Sequence, residues 1–236
     1  MLARRNRPEA MDAPDLDPHL LADDLANLET LNRLFGGRNV VRRALDRLLP
    51  EHPPGEPLSA LDLGSGAGDL CRVLVDECRR RGQAVTVWSL DFHPQIQAYA
   101  REQVRRDYPE IRFLRADARQ VPLRAESVDL ALCTLALHHF TEEDAVAVLR
   151  EMQRVTRRWA LVSDLCRSAP AYAGVWLATR FMRNPMTRHD GPVSVRRAFS
   201  PAELQTLASS AGWENAELRK EPWFRMSLLY RKPRPW

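Results

Sequence analysis

Cysteine is scarce in this sequence, and long apolar runs are missing. The four cysteines form no C-x-x-C pair and belong to no His/Cys cluster, which argues against a disulfide framework and against a zinc site of ordinary ligand spacing. Isolated cysteines are typical of small buried side chains in a reducing compartment, so we expect a cytoplasmic protein. No stretch approaches the roughly 18 apolar residues of a membrane span, and the basic segment 1–8 lacks the apolar core of a signal peptide.

Charge of one sign is not in large excess either. The 35 Lys and Arg residues are offset by 31 Asp and Glu residues, so the formal net charge is only +4. The arginines are scattered along the chain instead of forming a cluster, and scattered charges are typical of a solvated surface. We therefore expect no nucleic-acid partner.

The 236 residues are enough for one large α/β domain with appendages. We predict a disordered tail over residues 1–13, within which Met11 is an alternative natural start to Met1. Helical spacing of apolar residues over 14–50, broken by a Gly-Gly pair, predicts two helices that form an N-terminal cap. Residues 51–236 would then form the main domain.

The most informative stretch is L-D-L-G-S-G-A-G-D-L, at residues 61–70. An apolar run precedes the glycines and apolar positions at helical spacing follow them, so the glycines connect a buried strand to a helix. In the G-x-G-x-x-G of dinucleotide-binding loops, the third glycine would occupy the position of Asp69. An acid at a helix start opposes a pyrophosphate, and Asp62 is suited to an ammonium or sulfonium. The loop therefore favours a ligand without phosphate; the alternative is a tight turn without any ligand.

Acids also follow the next two predicted strands. Asp91 ends the second strand, where a carboxylate commonly holds a ribose hydroxyl pair. Its alternative role is to cap the helix that Pro94 begins, and both roles are compatible. Asp117 and Ala118 follow the third strand, where a carboxylate and a backbone N–H can bind an adenine ring.

The second half of the chain completes a seven-strand pattern. A fourth strand leads into the sequence L-H-H, a fifth ends at Asp164, and the last two form a hairpin. An apolar helix over 169–182 is followed by residues 183–199, which show no clear periodicity. Long connections of this kind are usually functional or disordered, so we predict a partial lid over about 166–199.

In this order, the glycine loop, the acid after strand two and the Asp-Ala pair after strand three resemble the class I S-adenosylmethionine-dependent methyltransferases. The resemblance implies a Rossmann-like α/β fold, with a seven-stranded, mostly parallel sheet in the order 3-2-1-4-5-7-6 and an N-terminal helical cap. It implies S-adenosyl-L-methionine as cofactor, with S-adenosyl-L-homocysteine as its product. The residues predicted to bind it are Asp62, Gly64, Ser65, Gly66, Gly68, Asp91, Phe92, Asp117, Ala118 and Thr134.

A narrower resemblance concerns the acceptor. The L-H-H after strand four and the later R-H-D-G…R-A-F-S-P-A-E-L…A-G-W segment are similar to small bacterial methyltransferases of the quinone and phenolic-lipid type, some of which accompany type III polyketide synthases. This similarity implies natural-product biosynthesis, with a small apolar aromatic or lipid-tailed acceptor. The methylated group would be a phenol, quinol or polyketide hydroxyl, and a ring carbon of a quinone precursor is the alternative.

Methyl transfer to a phenol benefits from a base, because a phenol has a pKa of about 10. His139, His138 and His189 are the candidates, since imidazole suits the task. Side chains alternate along a strand, so we expect the adjacent pair to point apart, with only His139 reaching the acceptor. In a purely structural alternative, one ring packs and the other binds a backbone carbonyl. No ligand spacing indicates a metal site.

Other activities are disfavoured or stay open. A nucleic-acid amino-methyltransferase would show a D/N-P-P-Y/F motif after strand four, where this chain has T-L-A-L. An NAD-dependent oxidoreductase would need glycine at the position of Asp69. A protein methyltransferase, or a protein that binds the cofactor without catalysis, is compatible with the sequence.

Overall fold

The computed structural model describes residues 2–104 and 106–233, and its centre is a seven-stranded sheet. The strands are β1 (Leu58–Leu63), β2 (Val85–Asp91), β3 (Ile111–Arg115), β4 (Val128–Thr134), β5 (Thr156–Leu165), β6 (Glu217–Glu221) and β7 (Arg225–Arg231). Their order is β3-β2-β1-β4-β5-β7-β6, which confirms the predicted order. β7 runs antiparallel to both neighbours, and the remaining pairs are parallel.

Helices cover both faces of this sheet. They are α1 (Pro18–Leu34), α2 (Gly37–Leu48), α3 (Asp69–Arg80), α4 (Pro94–Val104), α5 (Glu142–Val155), α6 (Ala169–Arg180), α7 (Pro185–Arg197) and α8 (Pro201–Ser210). A short 3₁₀ turn, Leu137–His139, follows β4, and another, Ala10–Asp12, precedes α1. The helices α1 and α2 lie where the N-terminal cap was predicted.

The central strands are apolar on both faces because helices cover both sides. Alternate residues of β1 enter two separate apolar clusters: Leu61 belongs to one and Ala60 to the other. Leu149 of α5 packs in the first cluster, and Leu74 of α3 packs in the second. The polar carboxyl ends of the strands are thus the part of the sheet left for a ligand.

Residues 183–199 are more regular than predicted, because most of them form α7. Asn184 caps this helix by accepting hydrogen bonds from the backbone N–H groups of Met186 and Thr187. Its apolar periodicity is weak because its buried face includes polar side chains such as Asp190 and Arg197. The segment predicted as a lid, about 166–199, therefore consists mainly of two helices, α6 and α7.

Residues 2–13 also differ from the disordered tail that we predicted. The carboxylate of Asp190 accepts hydrogen bonds from the backbone N–H groups of Ala10 and Met11, at 2.8 and 3.0 Å. Arg4 donates to the carbonyl oxygen of Phe140 at 2.7 Å, and Glu9 is only 5% exposed. The polar groups of this segment thus bind to α7 and to the backbone that follows the 3₁₀ turn after β4. Met1 lies outside the described residues, so the choice between Met1 and Met11 as the natural start stays a prediction.

Among the described residues, no helix is both long enough and apolar enough to span a bilayer. The four cysteines are unpaired thiols; three are buried and Cys166 is partly buried.

Candidate active site

A cavity of about 610 Å³ opens at the carboxyl ends of β1, β2 and β4. Residues of α1, α6 and α7 enclose it from the other side, together with residues of the segment 9–12. Ligands of open α/β sheets bind at this edge, where the strand order reverses. The volume lies within the usual range of small-molecule sites.

The glycine loop after β1 forms one wall of the cavity. Gly64 and Gly66 have φ angles of +67° and +54°, a region that residues with a Cβ atom rarely adopt. A Cβ atom on Gly64 would lie 2.5 Å from the side chain of Ala136, so close packing excludes a larger residue there. A Cβ atom on Gly66 would meet no atom within 4 Å. Gly66 therefore borders open space that a ligand can occupy.

The other predicted cofactor residues mostly line the same cavity. Gly68 does not: it lies before α3 and faces α4, where a Cβ atom would lie 3.9 Å from Val104. Its φ angle of +71° explains why a glycine occupies this turn, and its predicted place in the cofactor site stays a prediction. The predicted residues that line the cavity are Asp62, Gly64, Ser65, Gly66, Asp91, Phe92, Asp117, Ala118 and Thr134.

Three buried acidic side chains determine which ligand charge this cavity favours. Burial raises the pKa of Asp62 to about 7, and burial also raises the pKa values of Asp69 and Asp91. The Oδ1 atom of Asp62 has no hydrogen-bond partner among the described residues, and Oδ2 accepts only from the thiol of Cys71, at 3.3 Å. A buried carboxylate without a partner is costly. This end of the cavity therefore favours a ligand that carries positive charge.

Polar groups continue along the wall toward β3 and β4. The carboxylate of Asp117 accepts hydrogen bonds from Arg119, whose guanidinium lowers its pKa. The buried hydroxyl of Thr134 has no partner among the described residues. Phe92 is 60% exposed and presents its ring at the edge of the cavity. Donors, acceptors and an aromatic face are thus available to a flat heteroaromatic ligand.

His138 and His139 lie together, contrary to our prediction that they point apart. The alternation of a strand does not apply to them, because they belong to the 3₁₀ turn after β4. Their ring centroids are 4.5 Å apart. The Nδ1 atom of His138 lies 2.7 Å from Oδ1 of Asp164, and the Nδ1 atom of His139 lies 2.9 Å from Oδ1 of Asp12. Both rings line the cavity.

The Nε2 atoms of the two rings face Glu9. The distance to a Glu9 carboxylate oxygen is 3.4 Å for His138 and 3.8 Å for His139. Burial alone would lower the pKa of His138, but Asp164 and Glu9 raise it to about 10. Burial opposes ionisation of Glu9 as well, yet the two histidines together lower its pKa. His138 therefore holds a proton at neutral pH, which leaves His139 as the better candidate for a base.

His189 does not line the cavity, although the sequence made it a candidate base. Its side chain is 60% exposed, and Nδ1 lies 2.7 Å from Oδ1 of its neighbour Asp190. The regular turn of α7 explains this position, because it directs Asp190, Gly191 and Ser194 toward the cavity and His189 away from it.

Several residues of the site were not found by sequence reasoning. Glu9 and Asp12 were assigned to the tail, and nothing in the local sequence distinguishes them. Asn32 of α1 is buried in the site; it donates to Asp69 at 3.2 Å and accepts from Arg225 at 3.0 Å. Asp164 is the penultimate residue of β5, so the rule that singled out Asp91 could have found it.

The remaining part of the cavity is apolar. α1 contributes Leu28 and Leu31, α6 contributes Val175 and Ala178, and Phe224 lies just before β7. Beside it, three large side chains of α6 and its C-terminal end, Trp176, Leu177 and Phe181, are 48%, 54% and 81% exposed. The cavity thus combines a polar wall on the sheet with an apolar wall on the helices.

Comparisons with known proteins agree with this geometry. A family model described as a methyltransferase domain matches residues 60–158. A demethylmenaquinone methyltransferase from Thermus thermophilus is 32% identical over 114 residues, which are 48% of this chain and 47% of that protein. The chain thus matches about half the length of that relative. A 2-phytyl-1,4-naphtoquinone methyltransferase from Thermosynechococcus vestitus is 30% identical over 198 residues, which are 78% of this chain and 83% of that protein.

The fold is also similar to that of solved structures. A SAM-dependent methyltransferase from Aquifex aeolicus superposes with a TM-score of 0.60 at 17% sequence identity. The superposition covers 92% of this chain and 99% of the other. At this identity the likeness concerns the fold.

Proposed function

This chain belongs to the class I S-adenosylmethionine-dependent methyltransferases, and we propose that it methylates the hydroxyl of a small, largely apolar phenol, quinol or polyketide-type compound. The observation that carries the proposal is the position of His139. It lines the same cavity as the polar residues at the strand ends and the apolar residues of α1 and α6.

The residues of the polar wall fit the cofactor. Asp62 and Thr134 each offer a buried oxygen that lacks a partner among the described residues, and the space beside Gly66 is open. Asp62 would face the positive charge, Asp91 would hold the ribose, and Asp117 with Ala118 would hold the adenine. When bound, the sulfonium supplies an activated methyl group, so the protein contributes mainly proximity and orientation.

His139 and Asp12 would handle the proton of the acceptor. The Asp12 carboxylate can only accept, so the hydrogen bond at 2.9 Å favours the proton on Nδ1 of His139. Nε2 then carries the lone pair and could take the proton of the acceptor hydroxyl. Asp12 would stabilise the resulting imidazolium, and its second oxygen is held by Arg197 at 2.8 Å.

The apolar wall supports a hydrophobic acceptor. Leu28, Leu31, Val175 and Ala178 offer few polar atoms to a ligand, and such walls suit aromatic or lipid-tailed compounds. The exposed Trp176 and Phe181 extend this apolar character outward on the same helix. The two curated relatives are named for quinone-type acceptors, which is consistent with a ring compound of this kind.

The test is product identification. The enzyme would be incubated with S-adenosylmethionine labelled at the methyl group and with a panel of phenols and quinols, and products would be analysed by mass spectrometry. We expect label in a methyl ether. Label on a ring carbon would instead support C-methylation of a quinone precursor. Turnover only with structured RNA or a protein would contradict the proposal, and cofactor binding without any product would indicate a binding protein.

A further inference from the structure

Two imidazoles and one carboxylate converge on a single point beside the cavity. One ring nitrogen each of His138 and His139 and a carboxylate oxygen of Glu9 all lie within 4.8 Å of one another. Glu9 and His138 are 5% and 3% exposed, so the cluster is largely shielded from water. No spacing in the sequence predicted this group, because Glu9 is remote from the histidines along the chain.

The distances suit ligands of a shared ion better than hydrogen bonds. The separations of 3.4 and 3.8 Å between the Glu9 oxygens and the two Nε2 atoms exceed the 2.7–3.2 Å of ordinary N–H···O bonds. A tetrahedral ion with bonds of about 2.0–2.1 Å to nitrogen and oxygen would separate neighbouring ligand atoms by about 3.4 Å. In addition, Oε1 of Glu9 is buried and has no hydrogen-bond partner among the described residues.

The opposite nitrogen of each ring is already held by a carboxylate. Nδ1 of His138 lies 2.7 Å from Asp164, and Nδ1 of His139 lies 2.9 Å from Asp12. Histidines that bind a metal usually donate their other N–H in this way, which fixes the ring and makes Nε2 a better ligand. Both rings therefore turn the ligating atom inward.

The charge of the cluster also suits a divalent cation. Glu9, Asp12 and Asp164 carry three negative charges. Among the described residues, Arg197 is the only guanidinium in a salt bridge with any of them. With both imidazoles neutral, as ligands of a metal are, the proton that His138 holds in the metal-free protein is displaced, and two negative charges remain for the ion to balance.

We propose that Glu9, His138 and His139 form a binding site for a divalent transition-metal ion of the Zn²⁺ type. Two imidazoles and one carboxylate make a ligand set typical of such ions, with a remaining position toward the cavity. Bound metal takes Nε2 of His139 and displaces protons from the ligands. The metal-bound state and the base-competent state of the proposed function therefore exclude one another.

Metal binding is tested without acceptor or cofactor, so its outcome is separate from that of the proposed function. Full-length protein freed of metal by chelation and desalting would be titrated with Co²⁺, followed by visible absorption. We expect one equivalent to bind with tetrahedral absorption bands. Glu9→Gln, which keeps the size of the side chain, should weaken binding by more than about 10-fold, the loss that even outer-shell changes produce. Asp12→Asn, which leaves all three ligands in place, should weaken it less.

His19→Ala is the matched control, because His19 is an exposed histidine of α1 outside the cavity. It should bind Co²⁺ as the unmodified protein does. Circular dichroism and thermal melting verify that each variant is folded. Absence of tetrahedral bands, or a folded Glu9→Gln protein that binds as tightly as the unmodified one, would overturn the proposal.

Enzyme kinetics test whether the metal-bound state and the base-competent state of His139 exclude one another. One equivalent of Zn²⁺ added to the metal-free enzyme should slow methyl transfer to a phenol at least tenfold, and a chelator should restore the rate. Once the loss of turnover in His139→Ala has identified His139 as the base, an unchanged rate at full metal occupancy would show that the ion does not bind its Nε2, and would overturn the assignment of His139 as a ligand.

Discussion

The carboxylate of Asp91 accepts a hydrogen bond from the backbone N–H of Gly66, with 3.1 Å between Oδ2 and N. Its other oxygen accepts from the backbone N–H of His93 at 2.9 Å. The acid at the end of β2 thus holds the glycine loop after β1 and the start of α4 at the same time. Because it also lines the cavity, any change at Asp91 acts on the shape of the cavity and on its chemistry.

Asp91→Ala is expected to weaken S-adenosylhomocysteine binding by about 1.5–3 kcal/mol, the usual range for hydrogen bonds to a charged group. Isothermal titration calorimetry measures the change. Asp76→Ala is the control, because Asp76 is an exposed acid of α3 that does not line the cavity. Unchanged affinity in a folded Asp91→Ala protein would remove Asp91 from the cofactor site.

Asp62→Asn is expected to stabilise the cofactor-free protein above pH 7. Burial raises the pKa of Asp62 to about 7 in the folded state, against about 3.9 in an unfolded chain. The folded state therefore holds more protons between these values, so this group's contribution to stability falls as pH rises from about 4 to 7. At pH 8 the variant should gain about 2–4 kcal/mol in free energy of unfolding, and at pH 4 little.

Urea unfolding of both proteins at pH 4 and pH 8 measures this difference. The same variant should bind S-adenosylhomocysteine more weakly at pH 8, because it lacks the charge that a cationic ligand group requires. Parallel stability profiles for the two proteins would mean that Asp62 does not ionise with a raised pKa.

His139→Ala is expected to lower turnover of a phenol by about 10² to 10⁴, with little change in cofactor affinity. The loss should shrink for acceptors of lower pKa, which need less help from a base. Steady-state kinetics of metal-free enzyme over a series of substituted phenols tests both statements.

His189→Ala is the informative comparison, since His189 does not line the cavity and its loss should leave turnover unchanged. If His139→Ala lowered turnover less than threefold while His189→Ala lowered it far more, the base would belong to α7. If neither mattered, positioning alone or carbon methylation would be indicated.

Ala178→Trp should raise the KM of a bulky acceptor at least tenfold and leave S-adenosylhomocysteine affinity unchanged. Ala178 lies on the apolar wall of the cavity, so a large ring there occupies acceptor space. Ala173→Trp is the matched control, because Ala173 is exposed on the same helix and does not line the cavity. An equal loss of cofactor affinity in Ala178→Trp would place the cofactor, and not the acceptor, against α6.

Much of the fold could be read from short patterns. The apolar runs at β1 and β4 and the glycine loop predicted a buried parallel sheet, because parallel strands covered on both faces must be apolar throughout. Prediction from apolar patterns failed for elements whose buried side chains are polar. α7 packs through Asp190, Thr187 and Arg197, so no apolar periodicity marks it.

By itself, the sequence determined the strands and the acids that follow them, because each of these depends on contiguous residues. The sheet order followed from the family that these motifs resemble, and the structure confirms it. Only the tertiary structure decided the composition of the histidine cluster. It brings Glu9 and Asp12 from the N-terminal segment to His138 and His139, and Asp164 from the neighbouring strand. These contacts join residues that are distant along the chain, and their energy comes from pairing buried charges, which leaves no periodic signal in the sequence.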